Sequence, residues 1–229
     1  MKLNLQFFGG NGSGGESLGN GGGKNVNIIN QEDVWSYRHN KNNEQFVTEI
    51  NNGIIAVQNE FPSVMRSVES VNASEFGGSD KNSILGVYTT DASGKHTVDI
   101  NRNFTNVNKM NAVYDVDVKA GYHPSRGNKT GTEAVTIHEM GHAVTGDIAR
   151  KMGLSGTSAV DKASQTIVEN AYKATKGKGG TKAWAGAISG YAKTSFAECV
   201  AEAVADYGCN GSKANDRSKA IIKEMKKYY

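Results

Sequence analysis

The stretch from residue 130 to residue 153 constrains the fold more than any other part of the sequence. It opens at Thr130, which Glu133 follows at the spacing of a capping box, and it closes at Gly153, a residue type that commonly ends helices. Between these signals apolar residues recur at helical intervals, namely Val135, Val144, Ile148 and Met152. We therefore expect one long helix with a defined start and a defined end.

This helix carries the pattern His138-Glu139-Met140-Gly141-His142. Residues four apart lie on one helix face, so both imidazoles can reach one zinc ion at about 2.0–2.1 Å. Glu139 projects about 100° away, where it can take a proton from water at the metal. Zinc lowers the pKa of water toward about 7, so the pattern predicts two metal ligands and a general base. Strings of the HExxH type also occur by chance, but the helix signals at both ends favour the metal interpretation.

A tetrahedral catalytic zinc needs a third protein ligand and keeps its fourth position open for water. The segment 195–207 carries Glu198, Glu202 and Asp206 at intervals of four residues in an otherwise apolar helix. Buried carboxylates are costly unless they are paired or bound to metal, so we expect Glu198 as the third ligand. Glu202 would accept from the other nitrogen of a ligating histidine. Two alternatives stay open: a solvated acidic stripe, or a capping box of Glu198 with Ser195.

Three motifs together resemble those of a metallopeptidase family. They are His138-Glu-Met-Gly-His-Ala-Val144, Ser189-Gly-Tyr-Ala-Lys-Thr194 and Ala197-Glu-x-x-Ala-Glu-Ala203. They resemble the gluzincin core of the anthrax lethal factor type, and more closely the HExGH domains of phage minor head proteins. The likeness extends from about Tyr88 to the C-terminus, although Cys199 and Val200 stand where the family usually has an aromatic pair. It implies an α+β, zincin-like fold with a small mixed or antiparallel sheet, an active-site helix and C-terminal helices.

The resemblance also implies a function and an oxyanion-binding residue. It implies one catalytic Zn2+ held by His138, His142 and Glu198, in a zinc-dependent endopeptidase that a phage or prophage encodes. Tyr191 matches the tyrosine whose phenol hydrogen-bonds the oxyanion of the tetrahedral intermediate. The expected partners are a protein or peptide substrate and phage head proteins. The alternative is a non-catalytic phage virion or head structural protein that retains a zinc site.

The glycines are unevenly distributed along the chain. Nine of the 28 glycines lie between Gly9 and Gly23, in a polar stretch that cannot bury enough apolar area to offset its conformational entropy. We therefore expect residues 1–28 to be a disordered, Gly-rich N-terminal tether. Residues 29–83 are expected to be a helical N-terminal region, and residues 84–229 the zincin-like metallopeptidase domain.

Residue periodicity predicts the elements before the active-site helix. Apolar residues recur at helical intervals over residues 34–71, which predicts one or two helices broken near Pro62. Strand-like sequences at 84–88 and 96–101, joined by a turn, predict an antiparallel pair, and residues 112–116 predict a third strand.

Two segments near the active-site helix have candidate roles. His123 lies in Gly121-Tyr122-His123-Pro124, which resembles a loop of the phage group; we expect a solvated histidine, with an approach to substrate as the alternative. In zincins an edge strand beside the metal binds the substrate backbone, and residues 97–101 are the candidate for that strand.

Charge and hydropathy argue against two classes of partner. The net charge of +3 is too small to predict a nucleic-acid partner. No apolar stretch approaches the length of about 18 residues that a membrane span needs, and residues 3–8 are too short and polar for a signal peptide. We therefore expect neither nucleic acid nor membrane as partner, and a location in the host cytoplasm or in the virion.

Overall fold

The structure is a computed structural model that describes residues 26–30, 34, 37–38, 41–91, 93–156 and 158–229. Over these residues the protein has an α+β fold, in which helices pack against a small mixed sheet. Most of the tether predicted at residues 1–28 lies outside the described residues.

One mixed sheet is formed by β1 (Val26–Asn27), β2 (Val68–Ser74), β3 (Gly86–Thr90) and β4 (His96–Asn101). Its order is β1-β2-β4-β3; β2 and β4 are parallel, and the other two pairs are antiparallel. The predicted hairpin of β3 and β4 is confirmed. Its turn is closed by the Asp91 carboxylate, which accepts from the N–H groups of Ser93 and Lys95 at 2.8 Å and 2.9 Å.

Seven α-helices lie within the described residues: α1 (Lys41–Glu60), α2 (Val107–Lys119), α3 (Gly131–Lys151), α4 (Ala159–Ala174), α5 (Gly180–Ala185), α6 (Phe196–Asn210) and α7 (Asp216–Met225). The central element is α3, which packs against the helices α1 and α6 and against the strands β3 and β4. Because neighbours surround it, every residue from Gly131 to Ala149 is buried.

The predicted ends of α3 are confirmed. Thr130 accepts from the Glu133 N–H while the Glu133 carboxylate accepts from the Thr130 N–H, which completes the capping box. Gly153 follows the helix with φ +73°, a left-handed conformation that glycine adopts without strain. These local signals hold the helix in one register, and the register decides which of its side chains meet α6.

The third strand expected at residues 112–116 is wrong. These residues lie inside α2, whose start is fixed by Asn106, because its side chain accepts from the N–H groups of Asn108 and Lys109. Within this helix Tyr114 is buried against the core, whereas Val116 faces solvent and is 56% exposed.

The helical assignment of residues 29–83 is correct for α1 and wrong for residues 68–74. Val68 and Val71 are three residues apart and both buried, which is helical spacing. The strand β2 reaches the same burial through a register shift between Val68 and Ser70, where a β-bulge adds a residue and turns both valines to one side. Residues 68–74 therefore pair with β4 in the same sheet as β3.

The described ranges contain no helix that combines the length and the apolar character of a membrane span.

Candidate metal centre

Close packing of α3 on α6 places the two histidines of the HExxH pattern opposite Glu198. A Cβ atom added to Gly141 would lie 3.0 Å from the Val204 Cβ and 3.1 Å from the Ala201 Cα. Only glycine therefore lets the α6 backbone approach this closely. The side chains of His138 and His142 then reach Glu198 across the interface.

Three ligand atoms converge at this interface. The His138 Nε2 lies 3.1 Å and the His142 Nε2 lies 3.5 Å from the Glu198 Oε2. Ligands that are each about 2.0–2.1 Å from a tetrahedral zinc are about 3.3–3.4 Å apart, so these two distances bracket the ideal edge. All three residues are buried, and together they could hold a metal ion.

The charges of the three residues fit a bound cation. Burial raises the pKa of Glu198, but the imidazoles of His142 and His138 outweigh that effect and lower it to about 2. Burial lowers the pKa of His138, whereas the carboxylates of Glu198 and Glu202 raise it to about 10. The site therefore attracts positive charge, which either a proton or a metal ion supplies. Two imidazoles and one carboxylate suit zinc or a related transition metal better than calcium or magnesium, which prefer oxygen ligands.

Glu202 lies against the far nitrogen of His138. Its Oε1 is 2.9 Å from the His138 Nδ1. A carboxylate only accepts, so Nδ1 would keep its proton, and Nε2 would become the ligand atom once a metal ion replaces the proton between Nε2 and Glu198. The Ser189 hydroxyl donates to the other oxygen of Glu202 at 2.6 Å. Glu202 therefore orients His138 from behind, as carboxylates commonly do for metal-binding histidines.

The structure excludes both alternatives for the acidic residues of α6. Ser195 caps the helix by accepting from the Glu198 N–H at 3.0 Å, but the Glu198 carboxylate faces the histidines instead of closing a capping box. The stripe is also not solvated, because Glu198, Glu202 and Asp206 are all buried. Asp206 points elsewhere and accepts from the side chain of Asn210 and the N–H of Asn215.

Glu139 belongs to α3, and its side chain lies next to the strand β3. Its side chain is buried, and its Oε1 has no hydrogen-bond partner in the part of the chain that the structure describes. A Cβ atom added to Gly86 would lie 2.9 Å from both the Cγ and the Oε1 of Glu139. Burial raises the pKa of Glu139 to about 7, although the two imidazoles pull it down.

The side chain of Tyr191 packs beside His138, with 6.0 Å between ring centroids and an interplanar angle of 26°. Two backbone hydrogen bonds fix its segment: Gly190 N–H donates to the Gly121 carbonyl at 2.7 Å, and Tyr191 N–H donates to the Tyr122 carbonyl at 3.0 Å. Burial, with the nearby Glu198 carboxylate, raises the pKa of the Tyr191 phenol far above its ordinary value. The phenol therefore stays protonated and can donate a hydrogen bond.

The expectation that His123 is solvated is wrong. The residue is 3% exposed, its Nδ1 lies 3.0 Å from the Glu202 Oε1, and its ring stacks on Tyr114. Tyr114 belongs to α2. The strand expected at residues 112–116 does not predict the contact between Tyr114 and His123. No local signal in the sequence predicts this contact, because it depends on how α2 packs against the loop.

His96, for which the sequence predicts no role, contacts Tyr88, and Tyr88 in turn packs against His142. His96 is buried in β4, and its Nδ1 lies 2.8 Å from the Tyr88 hydroxyl. The Tyr88 ring stacks on the His142 ring, with centroids 5.5 Å apart. The ring of His142 is thus held against the sheet by two residues of the hairpin.

The candidate edge strand at residues 97–101 is wrong, because β4 pairs with β2 on one side and β3 on the other. The edge strands are β1 and β3, and the other side of β3 pairs with no described strand. Asn101 N–H donates to the Leu85 carbonyl and Asp91 N–H to the Lys95 carbonyl. In an antiparallel pair such residues alternate, so the backbone groups of Gly86, Tyr88 and Thr90 point away from β4.

The three-residue group stands out among the potential ligands of the described ranges. It is the one cluster there whose His, Cys, Asp or Glu atoms could share a metal ion. Cys199 and Cys209 are buried free thiols, and burial raises the pKa of each to about 12, so neither is ionised at neutral pH. Comparisons with protein-family models, curated proteins and solved structures give no match for this chain.

Proposed function

We propose that this protein is a zinc-dependent endopeptidase with a zincin-like fold, in which His138, His142 and Glu198 hold one catalytic zinc ion. The observation that carries the proposal is the convergence of two imidazole nitrogens and one carboxylate oxygen at 3.1 Å and 3.5 Å, beside a buried glutamate that follows the first histidine. Zinc bound there would lower the pKa of water and polarise a carbonyl group.

Glu139 is the proposed general base. Its buried Oε1 has no partner among the described residues, so it is available to accept the proton of the attacking water. The same carboxyl group then delivers that proton to the leaving amine. Burial supports this role because a carboxylate that is poorly solvated is a stronger base.

Tyr191 is the proposed oxyanion donor. Its phenol is protonated, and its backbone hydrogen bonds to residues 121–122 hold the segment in place. A donor fixed before the reaction stabilises developing negative charge without reorganising, which is the main source of such catalysis.

The edge of β3 supports a peptide as the substrate. The outward backbone groups of Gly86, Tyr88 and Thr90 can pair with an extended peptide by adding it as a strand. A Cβ atom added to Gly86 would lie 2.9 Å from the Glu139 Oε1, so a peptide on this edge would pass close to the proposed base. The motif resemblance further supports a phage or prophage origin, with phage head proteins as substrates or partners.

The rival function is a virion structural protein that keeps a zinc site without turnover. Structural zinc sites usually have four protein ligands, whereas three are grouped here among the described residues, which favours the enzyme.

Peptide-library cleavage by zinc-loaded protein tests the proposal, with metal analysis of every sample. Glu139→Gln is expected to retain one zinc and to lose turnover by about 10²–10⁴-fold. Glu49→Gln is the matched control, because Glu49 is a buried glutamate on α1 outside the metal centre. Wild-type turnover in Glu139→Gln would refute the assignment of the base. Zinc-loaded wild type that cleaves no library peptide would favour the structural protein.

A further inference from the structure

We propose that His123 is a positioning residue of the metal centre, which holds the Glu202 carboxylate and through it fixes the orientation of His138. The inference rests on the metal site of the proposed function and requires no peptidase activity.

A single carboxylate oxygen links the two histidines. The Glu202 Oε1 lies 3.0 Å from the His123 Nδ1 and 2.9 Å from the His138 Nδ1. The carboxylate offers no proton, so the His123 Nδ1 is the donor of its hydrogen bond, and the His138 Nδ1 can only face this oxygen as a donor. The oxygen is therefore held from two directions, and its position determines where the His138 ring points.

Burial makes each donor to Glu202 important. The His123 side chain is fully buried and that of Glu202 is 1% exposed, so water has little access to replace a lost donor. A buried carboxylate that loses a donor moves toward another one. Such a shift changes the contact between the Glu202 Oε1 and the His138 Nδ1.

Three tyrosine rings hold His123 in place. Tyr114 stacks on it at 5.5 Å with an interplanar angle of 15°, and Tyr122 and Tyr191 pack edge-on at 4.9 Å and 5.5 Å. These contacts restrict rotation of the imidazole, so Nδ1 is aimed at Glu202 before any metal binds. The contacts from Tyr114 on α2 to His123, and from His123 to Glu202, thus help to fix the position of the proposed metal ligand His138.

Two substitutions separate the hydrogen bond from the packing. His123→Phe keeps a ring between the tyrosines and removes the donor. His123→Asn loses much of the ring but can place its amide N–H near the position of Nδ1. We expect zinc affinity to fall by about 10–100-fold in the first variant and to stay close to wild type in the second.

Zinc affinity is measured by competition with a chromophoric chelator, and the ligand geometry by the visible absorption spectrum of the Co2+-loaded proteins. The spectrum of His123→Phe is expected to change and that of His123→Asn to match wild type. If His123→Phe does not fold, His123→Gln replaces it, because the longer amide extends past the Nδ1 position and cannot restore the bond.

Wild-type affinity and spectrum in the variants without the donor would overturn the inference. An equal loss in His123→Asn would overturn it as well, since packing of the ring would then be the cause. A wild-type protein that binds neither Zn2+ nor Co2+ would instead refute the metal site of the proposed function.

Discussion

Replacing Gly86 with alanine adds one methyl group between the edge strand and the proposed base. The new Cβ would lie 2.9 Å from the Cγ and the Oε1 of Glu139, and 2.9 Å from the Val135 Cγ1. Gly86 is absent from the residues with positive φ, so alanine meets no backbone strain there. The substitution therefore probes side-chain contacts with Glu139 and Val135 and not backbone strain.

The size of the effect follows from the overlap. Carbon atoms in contact are about 3.5–4.0 Å apart, so the Glu139 side chain must retreat by about 0.6–1.1 Å. A misplacement of about 1 Å in a catalytic group costs about 10²-fold in rate. We expect kcat/KM to fall by about 10²-fold, while zinc affinity stays unchanged because the three atoms nearest the added Cβ belong to Glu139 and Val135 and not to a proposed ligand.

The assay compares peptide cleavage and zinc affinity of Gly86→Ala with those of wild type and of Thr89→Ala, an exposed position on the same strand. Thr89→Ala is expected to behave as wild type in both measurements. Full turnover in Gly86→Ala would show that catalysis does not depend on the position of the Glu139 side chain next to β3. A loss of zinc equal to the loss of turnover would show that the strand supports the metal instead.

Two further predictions concern His96. Gly146→Ala would place a methyl group 2.3 Å from the His96 Cε1 and 2.9 Å from the Tyr88 hydroxyl. Overpacking of about 1–3 kcal/mol then outweighs the gain of about 0.5–1 kcal/mol in helix propensity, and the free energy of unfolding falls. Denaturant unfolding should show a smaller loss in a His96→Ala background, and equal losses in both backgrounds would contradict the contact with His96. Burial lowers the pKa of His96 from 6.5 to about 4. The unfolded chain therefore binds more protons than the folded protein below pH 6.5, and about 2 kcal/mol of the free energy of unfolding is lost between pH 7 and pH 5. The variant His96→Gln should lose less over the same range. An identical pH dependence in the variant would refute the assignment of this loss to His96.

Local signals made the helix α3 predictable. Thr130, Glu133 and Gly153 act within one turn of the positions they cap, so their effect can be read without knowledge of distant residues. The four-residue spacing of Glu198 and Glu202 on α6 is equally local, because helix geometry alone puts both on one face.

Long-range contacts explain what could not be predicted. The burial of Val68 and Val71 depends on a bulge that only the pairing of β2 with β4 produces. Which strand forms the edge depends on the crossover from β2 to β4, and an alternating sequence such as residues 97–101 fits an interior or an edge strand equally. His123 becomes buried only when α2 brings Tyr114 against its loop.

X-ray absorption at the zinc K-edge, on protein loaded with one equivalent of zinc, identifies the atoms that bind the ion. We expect only nitrogen and oxygen neighbours at about 2.0–2.1 Å, with the outer scattering pattern of two imidazoles, and loss of the tightly bound ion in Glu198→Ala. Sulfur neighbours at about 2.3 Å, which would indicate Cys199 or Cys209 as ligands, or an unchanged spectrum in Glu198→Ala, would contradict this expectation.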